Sequence, residues 1–214
     1  AENITLETVS VGFATTAGAS VAVKHVNGLN VSLLVDQSNA DDFQLQHGSV
    51  SGDRLSKSSG ATKSLVSDIV FSSYTSNQQP VIDHNCVGIC QISNTTITCA
   101  KKAIMLSGTG NHRIDNASIS AQIYALRCSG TGRLSVDNST FNSIQNGVII
   151  RETNSNFNGQ VMISTLEHQS IGLDVLAGVH NWAAVTIFKD FNHQDSESIA
   201  SQIWYADVTV KDFQ

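Results

Sequence analysis

Three consecutive stretches, ICQISNTTITCAKKAIMLSGTG (Ile89–Gly110), NHRIDNASISAQIYALRCSGTG (Asn111–Gly132) and RLSVDNSTFNSIQNGVIIRETN (Arg133–Asn154), align without gaps at 22 residues each. Ile92, Ile114 and Val136 share one column, Ile97, Ile119 and Phe141 a second, and Asn94, Asn116 and Asn138 a third. The tetrapeptide SGTG recurs in register at Ser107–Gly110 and Ser129–Gly132. Self-similarity at a fixed period of this length marks a solenoid, in which each unit buries its apolar edge only against its neighbours.

The kind of solenoid follows from what lies between the columns. Short alternating apolar and polar runs, rich in Ile and Val and separated by Gly, Asn, Ser and Thr, leave no room for a helix. Each unit therefore reads as one all-strand coil with three strands. Ile92 and Ile97 are an odd number of positions apart, so both can point inward only if the chain bends between them. Asn tolerates the left-handed bend conformation and can stack on the Asn of the next coil. The expectation is an all-β, right-handed parallel β-helix with about 22–25 residues per coil and an internal asparagine ladder. A leucine-rich repeat has a similar period, but its Leu spacing and convex helix are absent.

The repeats, NGVIIRETN and IDNASIS among them, resemble the pectin-lyase-like parallel β-helix superfamily, which holds polysaccharide lyases, glycoside hydrolases and bacteriophage tailspikes. Residues 67–214 carry the resemblance well and 1–66 loosely. No catalytic signature of any one family is present, so the resemblance implies a fold and a class of use, without functional residues.

Outside the central repeats the pattern is expected to loosen. Residues 1–66 read as irregular first coils, with SGDRLSKSSGATKS (Ser51–Ser64) as a polar surface loop and regular coiling from near Ile69; residues 67–214 read as one continuous β-helix. Pro80 precedes the strand Val81–His84, where no ladder hydrogen bond is lost. After Asn154 the period lengthens to about 25, with Val161–Leu166 and Thr186–Phe191 repeating Val136–Phe141 and insertions near Ser155–Gly159 and Gly178–Trp182. The chain opens without an initiator Met or a signal-type segment and stops inside a coil, so a piece of something longer is expected, with an open end that invites association.

A formal charge of −6 argues against nucleic acid as a partner, and no apolar run is long enough for membrane insertion. Cys86, Cys90, Cys99 and Cys128 lack the paired spacing of a tetrahedral metal site, so buried free thiols are expected, with no metal and no cofactor. Sequons occur at Asn3, Asn30, Asn94, Asn116 and Asn138. Three of these are ladder positions, and an inward ladder carries no glycan, so they read as turn chemistry. Free thiols and absent glycans together favour cytosolic assembly over eukaryotic secretion.

Four of the five arginines, Arg113, Arg127, Arg133 and Arg151, fall in one window and in outward columns. Arg127 and Arg151 lie on consecutive coils two columns apart, a span of roughly 8 Å that suits two guanidinium groups holding an anionic chain. The plain alternative is solvated arginines paired with local acids. Nearby acids are Asp83, Glu152 and Asp174, and Glu152 with Asp174 is the best-placed carboxylate pair for glycoside cleavage. Asp115 and Asp137, stacked before the ladder asparagines, read as turn-bonding groups; His84 and His112 read as core residues. Trp204 and Tyr205 could stack on sugar rings or cap the core.

The resulting functional reading is a tailspike-like β-helix that binds and depolymerises an acidic bacterial surface polysaccharide (capsule, exopolysaccharide or O-antigen). Catalysis falls to Glu152 and Asp174, and substrate binding to Arg113, Arg127, Arg133, Arg151, Trp204 and Tyr205. The resemblance implies a homotrimer in a phage virion, acting at the host cell surface. The alternatives are a non-catalytic trimeric shaft or adhesin module and a secreted polysaccharide lyase.

Overall fold

The computed structural model describes residues 2–15, 20–38, 41–73, 78–99, 101–143, 146–151, 154–163, 171–175, 179–182, 186–187, 191–193 and 209–210. They form a parallel β-helix in which every strand pairing is parallel. No helix occurs among the described residues, and hence none long and apolar enough to cross a membrane. Each coil has three faces. Face A is seen in β7 (Lys102–Gly108), β10 (Tyr124–Gly130) and β12 (Asn146–Arg151); face B in β8 (Asn111–Asp115) and the start of β11 (Arg133–Ser143); face C in β6 (Thr96–Cys99), β9 (Ser118–Ala121) and the end of β11.

Inward columns stack one coil on the next. On face B, Val66, Ile92, Ile114 and Val136 are in register; on face C, Phe71, Ile97, Ile119 and Phe141 are. All eight are at most 2% exposed and form one continuous apolar core. At about 25 cal/mol per Å2 of apolar surface, such stacking is the main favourable contribution, and it accrues coil by coil.

The solenoid runs back to the N-terminal strands. β1 (Glu2–Glu7) and β2 (Val11–Thr15) pair with β3 (Val21–Ser38), which pairs with β4 (Asp42–Ser73), so coiling begins well before Ile69. Ser51–Ser64 is not a loop. It lies within β4, which continues unbroken across residues 66 and 67, and Leu55, Ser56, Ser58, Ala61 and Ser64 point inward and are buried. Small hydroxyl side chains fill the core here, which is why the stretch looks polar. Ser58 donates to Gln37 Oε1 at 2.6 Å, and both are buried.

The bend between faces B and C is where the asparagines sit, with φ of 48° at Asn94, 51° at Asn116 and 45° at Asn138. Their side chains are exposed, so the ladder is not internal. The left-handed residue turns its successor inward instead: Thr95, Ala117 and Ser139 are at most 4% exposed and fill the corner. The same corner continues through Asp68 (56°), His47 (55°), His25 (53°) and Asn3 (54°). With the asparagines outside, burial no longer argues against glycans at the sequons; Asn30 too has a left-handed φ, of 54°.

Beyond Asn154 the register differs from the expected one. Val161 pairs with Phe141, and Gln160 with Thr186. The residues expected as insertions are strands: Ser155–Gly159 lies in β13 (Asn154–Ile163), and β15 (Val179–Trp182) pairs with its first half. A register shift between Val136 and Ser139 shortens the offset between β11 and β13 by one residue, whereas Asn146 pairs with Ile171 and Asn154 with Val179, each 25 residues on.

Candidate functional site

Face A carries a charged outward column. Register places Asp36 beside Lys57, Lys57 beside Asp83, Asp83 beside Met105, Met105 beside Arg127, Arg127 beside Ile149 and Ile149 beside Asp174. Asp83 and Asp174 thus share the column of Arg127, as expected from the repeat frame. Arg127 is exposed, and the pairing of Ser129 with Arg151 sets Arg151 one coil and two residues further on. At ~4.8 Å between strands and ~3.3 Å per residue, these two positions can meet successive anionic groups of an extended ligand.

The other two arginines are elsewhere. Arg113 stands beside Ser135, and Arg133 beside Asn111; both are on face B, around a glycine corner from Arg127. Arg113 is exposed and lies 3.9 Å from Asp115, the local pairing that an exposed arginine adopts at little energetic gain. The four arginines therefore form two pairs of the same spacing, one coil and two residues apart, one on face A and one on face B, and the face B pair has Arg113 turned to Asp115.

Arg54, outside the expected cluster, makes the firmer ion pair. Its Nη2 donates to Asp83 Oδ2 at 3.3 Å and its Nε to the Pro80 carbonyl at 3.1 Å, with side chains only 13% and 21% exposed. Asp83 is therefore a structural partner of Arg54, occupied by that contact. Glu152, Trp204 and Tyr205 lie outside the described residues; Asp174 is placed by the backbone of β14 (Ile171–Val175).

A second outward feature takes in two of the asparagines expected inside and joins to them residues that the sequence reading left apart. Along the B–C corner, His25 and His47 stack with ring centroids 5.1 Å apart, and His47 Nδ1 lies 3.5 Å from Asp68 Oδ2. Asn94 Nδ2 donates to Asp68 Oδ1 at 3.0 Å, and Asn116 Nδ2 to Asn94 Oδ1 at 2.8 Å. The result is a polar ridge on the outside of the solenoid. Two adjoining grooves open beside it on face C. One, of about 360 Å3, is lined by Asn3, Thr5, His25, Asn27 and His47. The other, of about 350 Å3, shares Thr5 and Asn27 and extends over Glu7, Leu29 and Ser49. The signal that could have found them is the 22-residue spacing of Asn3, His25 and His47, hidden because the corner residue changes type.

The four cysteines are free and buried, and His84 and His112 are buried, as expected. Burial lowers the His84 imidazole to about 3, so it is neutral. It also raises the Cys99 thiol to about 11 and the Tyr124 phenol to about 12. These groups face the core and not the outer surface. No protein-family model matches the chain, and neither a curated protein nor a solved structure gives a significant match.

Proposed function

We propose that the chain binds an extended acidic bacterial surface polysaccharide along face A, with Arg127 and Arg151 as its anion contacts. The observation that carries this reading is the register: two arginine positions one coil and two residues apart, Arg127 exposed, in a chain of net charge −6. A stacked solenoid offers a repeat of ~4.8 Å along its axis, and an extended glycan meets such a surface with successive groups. In the fuller reading Glu152 and Asp174 act as acid and base on the bound chain, and the protein works as a homotrimer in a phage tail. The resemblance to tailspikes supports that last step.

The test is binding and turnover on a panel of capsular and O-antigen polysaccharides. Arg127→Ala with Arg151→Ala is expected to lower affinity at least tenfold, about 1.4 kcal/mol, and to flatten its salt dependence, leaving stability unchanged. Glu152→Gln and Asp174→Asn are expected to abolish release of reducing ends while retaining binding. Unchanged affinity in the arginine variant rules out face A.

A second reading is a non-catalytic adhesin module that takes a neutral glycan in the face C grooves. The polar lining by Asn3, Thr5, Asn27 and Ser49, beside stacked imidazoles, favours it. Here Asn27→Ala weakens binding and the arginine variant does not.

A further inference from the structure

The core holds a cluster of nitrogen and sulfur donors that the outward function does not use. His84 and Cys86 lie on face A and Cys90 on face B, so the three flank the corner at Gly88 from inside. Their donor atoms all lie within 4.8 Å of one another, and each residue is fully buried. His84 Nδ1 is 3.6 Å from Cys90 Sγ. Zinc bonds of about 2.0 Å to nitrogen and 2.3 Å to sulfur, at a tetrahedral angle, put the two donors about 3.5 Å apart. The pair already has the spacing of two ligands on one ion.

The surroundings are those of a built site. Ser56 Oγ lies 2.8 Å from His84 Nε2 and is itself buried. In the tautomer with the proton on Nε2, Ser56 accepts it, and this fixes the ring with Nδ1 turned toward the sulfurs. Ser64 Oγ, 2.9 Å from Nδ1 and also buried, is close enough to turn its hydroxyl to a thiolate once the nitrogen is coordinated. Phe43 packs edge-on against the imidazole at 5.6 Å and closes one side. On the next coil, His112 stands beside Cys90 in the same inward column. Its nitrogens lie outside the group of atoms already within 4.8 Å of one another, so it is a fourth donor that would close on the ion as the site loads.

We propose that His84, Cys86, Cys90 and His112 form an internal structural site for one thiophilic divalent cation, zinc in the first instance. Charge balance favours it: two thiolates neutralise a divalent ion, so the loaded site puts no net charge in the core. Loading exchanges the two thiol protons for the cation and releases them to solvent. Without metal, the same atoms remain as a hydrogen-bonded thiol and imidazole cluster in which neighbouring Cys86 and burial hold the Cys90 thiol protonated. The spacing Cys-x-x-x-Cys with a histidine two residues upstream supplies only one close cysteine pair in the sequence, because the remaining donor arrives from the next coil.

The whole chain, refolded with Co2+ in place of zinc because the site is enclosed, is the material for the test. The expected result is one cobalt per chain, with a thiolate-to-cobalt charge-transfer band of intensity fitting two thiolates and the ligand-field bands of tetrahedral cobalt. Cys90→Ser and Cys86→Ser should each lower the band by half or more, Cys99→Ser should leave it intact, and His112→Gln should weaken retention against a chelator. If the Cys86 or Cys90 variant does not fold, the wild-type stoichiometry and band decide alone. Refolded wild-type protein with neither cobalt nor zinc above trace overturns the proposal. So does a charge-transfer band that survives the combined Cys86 and Cys90 substitution.

Discussion

At the corner between faces A and B, a Cβ added to Gly132 would lie 1.8 Å from the Gly110 carbonyl oxygen, and one added to Gly110 would lie 2.4 Å from that of Gly88. At the corner between faces B and C the backbone is turned through φ of 45–56°, yet Asn, His and Asp all occupy the position, and the asparagines there are exposed. The first corner is closed by the neighbouring coil; the second is open to solvent. Where coils touch backbone to backbone, composition is dictated by volume, and the sequence repeats itself as SGTG. Where only a dihedral angle is imposed, several residue types serve, and the surface can vary without disturbing the stack.

The largest expected effect lies at the closed corner. Gly132→Ala forces two coils apart or rotates the turn, and should lower stability by on the order of 3 kcal/mol or more, read as a shift of the chemical unfolding midpoint. A cost below ~1 kcal/mol would show that the corner relaxes and that the contrast is one of degree. Asn116→Ala comes next. It loses the amide donated to Asn94 and places a residue poorly suited to the left-handed region, for a cost of about 1–2 kcal/mol. Asn116→Gly should recover most of that loss, since the angle and not the ladder bond is the main requirement. If Gly is as costly as Ala, the hydrogen-bonded ridge matters more than the angle. The smallest effect is expected at His47→Asn, within ~0.5 kcal/mol by the same midpoint, because Asn keeps the angle and the lost contact with Asp68 is exposed.

Legibility in the sequence followed the same division. Residues 89–154 announce the fold because glycine, asparagine and large apolar residues recur in fixed columns. Residues 1–66 did not, although they coil too, with register shifts between Gly28 and Val31 and between Ser59 and Lys63. Their B–C corner is filled by Asn3, His25 and His47, and part of their core by Gln37, Ser56, Ser58 and Ser64. A polar inward residue satisfied by another polar inward residue looks like a loop in one dimension. The direction of the asparagines was misread for a related reason. An odd spacing between Ile92 and Ile97 requires a bend but does not say which of the two central residues turns in, and Thr95 does. The face A arginine pair was legible because it depends on register alone. The paired His25 and His47, and the His84 cluster, depend on what stands one coil away or across a corner.

One coil is longer than its neighbours: 26 residues separate Asp68 from Asn94, against 22 from Asn94 to Asn116. The inward columns on faces B and C nonetheless continue through it, from Val66 to Ile92 and from Phe71 to Ile97. The extra length is taken up between Ser73 and Ile82, where the chain passes from face C to face A, and is not transmitted along the axis. That passage is a point where chain length can differ while the core keeps its register, so a change of outer surface beside face A need not disturb the stack.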